Sequence, residues 1–348
     1  MIDLRSLYLE EIEELFKERS IPRFRAEQIF SRIHKNLASS FEEMTNIPLN
    51  LKEKLSSEFY ISRGEILKKI LSSDNTTRKY LFEFENNTII EGVLMKYSYG
   101  YAACISTQAG CNMGCSFCAS AIGGKTRDLT AGEMAEEVYL MCRDIGERVG
   151  HVVLMGSGEP LENYDETMKF IRLINSPKGY NLSQRKITLS SCGLTDKILE
   201  LAEENLQITL AVSLHAPNDE IRNKIMPVSR KYPMDGLLSA CRKYSEKTGR
   251  RVTFEYALMK EINDSRSCAK ELAGRLKNTL SHVNLIPVNE VEERKGIIRT
   301  SSQKSIKDFY CVLENEGIPV TVRRELGSDI NAACGQLRRG YDQNNTQE

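Results

Sequence analysis

Three cysteines stand within eight residues in the stretch Cys111-Asn-Met-Gly-Cys115-Ser-Phe-Cys118. The spacing C-x3-C-x2-C lets three thiolates reach one metal centre from a single loop. Full protein ligation of a [4Fe–4S] cubane takes four cysteines, so three would leave one iron open for a small molecule. The alternative is a zinc site with a fourth ligand from elsewhere, for example Cys104 or His151. The stretch therefore predicts a metal centre, and it favours an iron–sulfur cluster over zinc.

The whole chain has 348 residues, of which 41% are hydrophobic and 28% charged, as in ordinary globular proteins. No apolar run approaches the roughly 20 residues that cross a bilayer, and no signal peptide is recognisable, so we expect a cytoplasmic protein that does not enter the membrane. Ten cysteines would stay reduced there, which favours metal binding, catalysis or core packing over disulfides. Basic and acidic residues both total 48. The net charge thus gives no sign of a polyanionic partner, although a local basic patch is enough to bind phosphates.

Strand-like and helix-like segments alternate along most of the chain. Short apolar runs predict strands at residues 101–106, 151–155, 186–190, 208–213, 252–258 and 282–286. The segments between them fit helices, most clearly Thr130 to Val149, which opens with a capping box of Thr130 and Glu133. Apolar runs without alternation are typical of parallel strands covered on both faces. Six βα units predict a wound α/β sheet, and periodicity does not tell whether that sheet closes.

The chain before this alternation divides into two parts. Residues 1–62 carry apolar residues at helical spacing and predict a small helical accessory domain. Residues 63–96 predict a strand-rich extension. We assign residues 97–341 to the main α/β domain.

Polar motifs follow the predicted strands. Gly156-Ser-Gly-Glu-Pro160 follows the second strand, Ser190 ends the third, Ser213-Leu-His215 ends the fourth, and Asn289 follows the sixth. Parallel α/β barrels build their active sites at the carboxyl ends of the strands. Each motif alone is a weak signal, but together they predict one rim that is shared with the cysteine loop.

From about Thr88 to Leu337 the chain resembles the RlmN/Cfr family of radical S-adenosylmethionine (SAM) methyltransferases. The matching stretches are Ile105-Ser-Thr-Gln-Ala-Gly-Cys111, Leu214-His-Ala-Pro-Asn-Asp219, His282-Val-Asn-Leu-Ile-Pro287 and Ala332-Ala-Cys-Gly-Gln-Leu337. The resemblance implies an open, partial (β/α)6 barrel and a [4Fe–4S] cluster held by Cys111, Cys115 and Cys118. It also implies SAM contacts from Gly158, Glu159, Ser190, Ser213, Leu214, His215 and Asn289. Ser157 departs from the family pattern, which usually has Met in this loop.

The resemblance further implies a reaction that uses two SAM molecules per turnover. One SAM methylates a cysteine, which Cys334 matches, and the second gives a 5′-deoxyadenosyl radical that removes hydrogen from the S-methyl group. The resulting methylene radical adds to an adenine and forms a covalent protein–RNA adduct. Glu91 matches the base that removes the proton from the substituted carbon, and Cys104 matches the thiol that then forms a disulfide with Cys334.

The residues alone leave other roles open for these three side chains. Without the resemblance, Cys104 and Cys334 would be interpreted as core cysteines, because free cysteine is usually buried. Glu91 could face outward from its strand. If it is instead buried among apolar residues, its pKa would be raised, which suits a base.

The family contains two site selectivities, C2 and C8 of adenine. Glu159-Pro160 and Arg323-Arg-Glu-Leu-Gly-Ser-Asp-Ile-Asn331 favour the RlmN type, which modifies C2 of adenine 2503 in 23S rRNA and adenine 37 in tRNA. The implied partners are 23S rRNA, tRNA and an electron donor such as flavodoxin or ferredoxin, and we expect a monomer. The alternatives are the Cfr-type C8 enzyme, a radical SAM enzyme acting on protein or small molecules, and a non-catalytic zinc-containing RNA-binding protein.

Phosphate contacts are harder to assign from the sequence. Pairs of basic residues occur at Arg230-Lys231, Arg250-Arg251, Arg323-Arg324 and Arg338-Arg339. Each pair is a candidate for binding RNA phosphates, and each could equally lie on a solvent-exposed surface that does not contact RNA.

Overall fold

The computed structural model describes residues 1–289, 291, 298–324, 326–332 and 335–337. Its strands are β1 (Ile2–Asp3), β2 (Phe59–Tyr60), β3 (Glu65–Leu71), β4 (Thr77–Phe84), β5 (Thr88–Tyr97), β6 (Gly100–Ile105), β7 (Gln108–Ala109), β8 (Arg127–Asp128), β9 (Val149–Leu154), β10 (Ile187–Ser191), β11 (Thr209–Ser213), β12 (Val252–Leu258), β13 (Ser281–Pro287) and β14 (Val320–Val322). Its α-helices are α1 (Leu9–Glu18), α2 (Arg23–His34), α3 (Leu49–Glu58), α4 (Ala131–Ile145), α5 (Tyr164–Asn175), α6 (Thr195–Glu203), α7 (Asp219–Ile225), α8 (Met234–Thr248), α9 (Arg266–Leu276) and α10 (Gln303–Asn315).

One large sheet runs through the molecule in the order β14-β13-β12-β11-β10-β9-β6-β5-β4-β3. Neighbours from β14 to β6 are parallel, and those from β6 to β3 are antiparallel. The six predicted parallel strands are confirmed as β6 and β9 to β13. Strand β14 was missed because its three residues are too few to show a period. Among the described residues the two end strands do not pair with each other, so the predicted open, partial barrel is confirmed.

Helix α4 shows how local sequence fixes an element of this fold. The Thr130 hydroxyl accepts the Glu133 N–H at 3.2 Å, and the Glu133 carboxylate accepts the Thr130 N–H at 2.9 Å, which confirms the capping box. The helix ends earlier than predicted, because Gly146 adopts φ 69° and terminates it. In the part of the chain described here, no helix is long and apolar enough to cross a membrane.

Buried polar contacts hold the N-terminal helical region against α4. Arg5 forms an ion pair with Glu136, and both side chains are 0% exposed. The Arg5 guanidinium also donates to the Ala38 carbonyl at 2.9 Å, and His34 Nδ1 lies 2.8 Å from the Tyr139 hydroxyl. A buried charge is tolerated only when it is paired and hydrogen-bonded, so these contacts fix the position of the helical region on the barrel.

The buried ion pair gives a first prediction. Replacing Arg5 with Ala leaves the buried Glu136 with Arg143 as an ion-pair partner and the Gly64 N–H as a donor. We expect a loss of about 3 kcal/mol in the free energy of unfolding, measured in urea. The matched control is Arg23→Ala, which removes an ion pair between the exposed Arg23 side chain and Glu13 and should change stability far less. Equal effects of the two substitutions would contradict a special role for the Arg5 pair.

Candidate active site

A cavity of about 930 Å³, counting its part open to solvent, lies at the carboxyl ends of the parallel strands. Its wall includes nine of the residues predicted from the sequence: Cys111, Cys115, Cys118, Gly158, Glu159, Ser190, Ser213, His215 and Asn289. Leu214 is fully buried in the core and does not belong to this wall; its N–H donates to the Glu255 carbonyl at 3.1 Å. The loops that follow successive strands thus converge on a single site.

The loop after β6, which carries the cysteines, is bonded to the loop after β9. The Ser157 hydroxyl accepts the Gly110 N–H at 3.1 Å, and the Ser157 carbonyl accepts the Thr107 N–H at 2.9 Å. Gly156 has no room for a side chain, since a Cβ there would lie 2.6 Å from the Ile105 carbonyl oxygen. Ser157, the departure from the family pattern, therefore holds the residue next to Cys111 in place.

The three cysteine thiols stand along one part of the cavity wall. Burial raises the pKa of Cys111 to about 12 and that of Cys115 well above its usual range. These two thiols are therefore protonated until a metal displaces their protons. Among the described residues no three His, Cys, Asp or Glu side chains surround one metal ion. A cubane does not need this, because each cysteine binds its own iron.

Glu159 is a buried carboxylate on the same wall. Its oxygens accept the Cys192 N–H at 2.7 Å and the Leu161 N–H at 3.1 Å. Burial raises its pKa, and an amine bound in the cavity would stabilise the charged form. The acceptor oxygens of Glu159 and the nearby serine hydroxyls fit the amino acid part of SAM. Together with the thiols, these groups fit a cluster that leaves one iron for SAM.

His215 is held as a neutral imidazole. Burial, and after it the charge of Arg222, lowers its pKa to about 3. Its Nδ1 accepts the Ala257 N–H at 2.9 Å, which leaves the proton on Nε2. The imidazole and Phe117 rings pack in a T-shaped arrangement, with centroids 4.9 Å apart. His215 is therefore a fixed hydrogen-bond donor or packing surface, and it carries no charge at neutral pH.

Sequence reasoning missed three residues of this site. Glu255 lines the cavity from β12, and its carboxylate accepts the Asn284 side-chain N–H at 2.9 Å. Arg323 lines the cavity from the end of β14, although it was considered only as an RNA contact. Arg222 is fully buried and donates to backbone carbonyls of the surrounding loops, those of Leu214, Cys192 and Tyr232. For these residues the sequence offered one signal, the charged Glu255 inside the apolar run 252–258.

A second pocket of about 560 Å³ adjoins the cavity and shares Met155, Ile286, Asn289 and Arg323 with it. Cys104 lines this pocket next to Val93, its partner across the β5–β6 pair. Ala332 and Leu337 line it as well. Cys334 lies outside the described residues, as do Arg338 and Arg339, but Ala332 packs in one apolar cluster with Cys104. Gly335 lines the larger cavity.

Glu91 is buried on the same sheet face as Cys104. It lies two residues before Val93, and side chains two apart on a strand share a face. Its carboxylate is 2.9 Å from the Lys79 ammonium, which also donates to the Asn331 carbonyl at 3.0 Å. The alternative of an outward-facing Glu91 is wrong. The lysine was not predicted.

Comparison with known proteins decides the family. Residues 105–267 match the family model of the radical SAM superfamily, and residues 2–61 match that of the ribosomal RNA large subunit methyltransferase N-terminal domain. A dual-specificity RNA methyltransferase RlmN of Alkaliphilus oremlandii is 53% identical over 99% of both chains. The chain belongs to the RlmN family of radical SAM enzymes.

Other relatives agree with this assignment. The RlmN of Clostridium tetani is 50% identical over 100% of this chain and 99% of its own. The crystal structure of a radical SAM methyltransferase from Sphaerobacter thermophilus is similar with a TM-score of 0.94 and 42% identity, over 98% of this chain and 100% of that chain. As an RlmN-family enzyme the chain uses a [4Fe–4S] cluster and SAM, so the zinc alternative and the non-catalytic alternative are wrong.

The cysteine loop gives a prediction on iron content. Protein reconstituted without oxygen should hold about four irons per chain, and Cys115→Ala should lose most of them together with SAM cleavage. The matched control is Cys311→Ala on α10, outside the cavity wall, which should keep its iron. Full iron content in Cys115→Ala, or one zinc and no iron in the wild type, would contradict the proposed ligand set.

Proposed function

We propose that this chain methylates C2 of adenine in RNA, in 23S rRNA and in tRNA, through Cys334, Glu91 and Cys104. The observation that carries the proposal is one sheet face beside the SAM cavity. On it lie Glu91 with its lysine partner and Cys104, and the segment that leads to Cys334 packs against it. The RlmN relatives, which are named dual-specificity RNA methyltransferases, support RNA as the substrate.

The larger cavity would hold the cofactors, with Cys111, Cys115 and Cys118 as the residues that would bind the cluster. SAM would be contacted by Gly158, Glu159, Ser190, Ser213, His215 and Asn289. Leu214 supports the site through its backbone N–H, which donates to the Glu255 carbonyl. When bound, the cluster and SAM supply a methyl group to Cys334 and then a radical that removes one hydrogen from it. The smaller pocket receives the adenine, so that the carbon carried by Cys334 bonds to C2 of the base.

Two residues of this chain then complete the reaction. Glu91, whose carboxylate pairs with the Lys79 ammonium, accepts the proton from the substituted C2. The one unpaired electron of the adduct would pass to the cluster, which the cleavage of SAM leaves oxidised. The Cys104 thiolate attacks the sulfur of Cys334; a disulfide forms and the bond between that sulfur and the methylene carbon breaks. The electron pair of the broken bond stays with the carbon, which takes up a proton to become the methyl group of the product.

The remaining assignments concern the surroundings of the reaction. We assign residues 1–62 to an RNA-binding accessory domain, residues 63–96 to an extension and residues 97–341 to the methyltransferase domain. The enzyme works as a cytoplasmic monomer, where its cysteines stay reduced and its RNA substrates are found. A small electron-transfer protein such as flavodoxin or ferredoxin supplies the electron for SAM cleavage.

The role of Glu91 is tested by Glu91→Gln. The amide keeps the size of the side chain but cannot accept the proton, so Cys334 should still become methylated while RNA product falls by at least about a hundredfold. Glu65→Gln is the control, because Glu65 is an exposed residue of the same sheet. Mass spectrometry of protein and RNA measures both steps, and normal product in Glu91→Gln would remove Glu91 from the mechanism.

Variants of Cys334 and Cys104 distinguish the roles of these two cysteines. Cys334→Ala should contain no S-methylcysteine and form no adduct. Cys104→Ala should begin the reaction and then stall, so that the protein purified from cells carries nuclease-sensitive RNA bound through Cys334. Cys311→Ala serves as the control and should be free of RNA. A Cys104→Ala protein that is active and free of RNA would show that Cys104 only packs in the core.

A further inference from the structure

Arg222 on α7 is a buried arginine that none of the steps described above uses. Its side chain is 0% exposed, and burial lowers the pKa of its guanidinium. A guanidinium keeps its proton inside proteins all the same, so Arg222 carries a positive charge in the interior. It donates to the carbonyls of Cys192 at 2.7 Å, Tyr232 at 3.1 Å, Leu214 at 3.2 Å and Ser213 at 3.4 Å.

These carbonyls solvate the charge of Arg222 but do not neutralise it. Buried charges in proteins are normally paired with an opposite charge, and the equally buried Arg5 pairs with the carboxylate of Glu136. The thiols of Cys192 and Cys115 act on the charge of Arg222 more strongly than any carboxylate described here. The opposite charge that suits Arg222 therefore belongs to the cysteine side of the cavity.

The end of α7 also supports the cysteine loop. The Ile225 carbonyl accepts the N–H of Ser116, which follows Cys115, at 2.9 Å. On the other side of Cys115, a Cβ on Gly114 would lie 3.5 Å from the ring of Pro227. The backbone on both sides of the second cysteine thus packs against the segment that begins with α7.

The charge of Arg222 reaches the Cys115 thiol. Burial, and after it the charges of the neighbouring thiols and of Glu159, raises the pKa of Cys115, while Arg222 acts in the opposite direction. Cys192 connects the two groups, since its carbonyl binds Arg222 and its N–H donates to Glu159 at 2.7 Å.

A cluster bound by three thiolates carries an excess of negative charge, and this excess grows when the cluster takes up an electron. A fixed cation nearby stabilises that charge, most strongly where water is excluded. The net charge around an iron–sulfur cluster is one of the factors that set its reduction potential. A buried arginine beside the cysteine loop therefore favours the reduced form.

We propose that Arg222 is a positioning residue that ties together the loops around the cluster and supplies the fixed positive charge that makes the cluster easier to reduce. Its planar fork reaches several carbonyls at once, so one side chain serves both purposes. The inference rests on the proposed cluster ligands Cys111, Cys115 and Cys118, and it does not depend on the RNA substrate.

Two variants separate the charge of Arg222 from its hydrogen bonds. Arg222→Met removes the charge and the donors, whereas Arg222→Lys keeps the charge and loses the fork. Each protein is reconstituted without oxygen, and the reduced cluster is followed by electron paramagnetic resonance against solution potential, without SAM. At a fixed potential the ratio of reduced to oxidised cluster should fall about tenfold in Arg222→Met, which is about 59 mV in a one-electron couple.

The other proteins in this titration should keep the wild-type ratio. Arg222→Lys keeps it because the charge remains. The matched control is Arg5→Met, which removes an equally buried arginine outside the cavity wall. It should destabilise the fold without changing the ratio, which distinguishes a charge effect from a general loss of stability.

The iron content of each protein decides the case of a variant that loads poorly. Iron retained by Arg222→Lys but lost from Arg222→Met supports the inference, because both variants lose hydrogen bonds. A wild-type ratio in Arg222→Met, or equal loss of iron or of folding in both variants, would overturn it and leave the proposed function standing. Wild-type protein that binds no cluster would instead refute the ligand set on which both proposals rest.

Discussion

Hydrogen bonds join the loop after β6 to the loop after β9. These bonds lie close to the strand ends, ahead of the cysteines in the first loop and of Glu159 in the second. The Gly156 N–H donates to the Ile105 carbonyl, and the Ser157 N–H donates to the Ser106 hydroxyl, both at 2.9 Å. The parallel register of β6 and β9 puts these groups opposite each other. Because the two loops leave the sheet as one bonded unit, the cysteines and Glu159 face the same cavity, and the other strand ends complete its wall.

The second part of the site depends on the antiparallel end of the sheet. The pairing of β5 with β6 sets Val93 opposite Cys104, and the pairing of β4 with β5 brings Lys79 onto the same face as Glu91. The parallel strands of one continuous sheet thus position the cofactor residues, and β5 holds the proposed base. Strand β6, which pairs in parallel with β9 and antiparallel with β5, holds the proposed resolving thiol. Four residues line both pockets and so connect them: Met155, Ile286, Asn289 and Arg323.

Much of this architecture could be predicted from the sequence because its signals are local. The parallel strands show as apolar runs, and the cysteine loop shows as a spacing. Pairing between distant parts of the chain leaves no local pattern in the sequence. Three features depend on such pairing: the joining of β3 to β5 with the barrel sheet, the burial of Glu91, and the ion pair of Glu91 with Lys79. Arg222 was missed for the same reason, since its carbonyl partners come from separate loops.

The central claim is that this chain makes 2-methyladenine in RNA, and mass spectrometry of RNA tests it most directly. Ribosomal and transfer RNA should be digested to nucleosides from wild-type cells, from cells that lack the gene, and from the latter carrying the intact gene or its Glu91→Gln version. The account predicts that 2-methyladenosine is lost from both RNAs without the gene and returns only with the intact one. Unchanged 2-methyladenosine in cells lacking the gene, or loss of 8-methyladenosine instead, would contradict it.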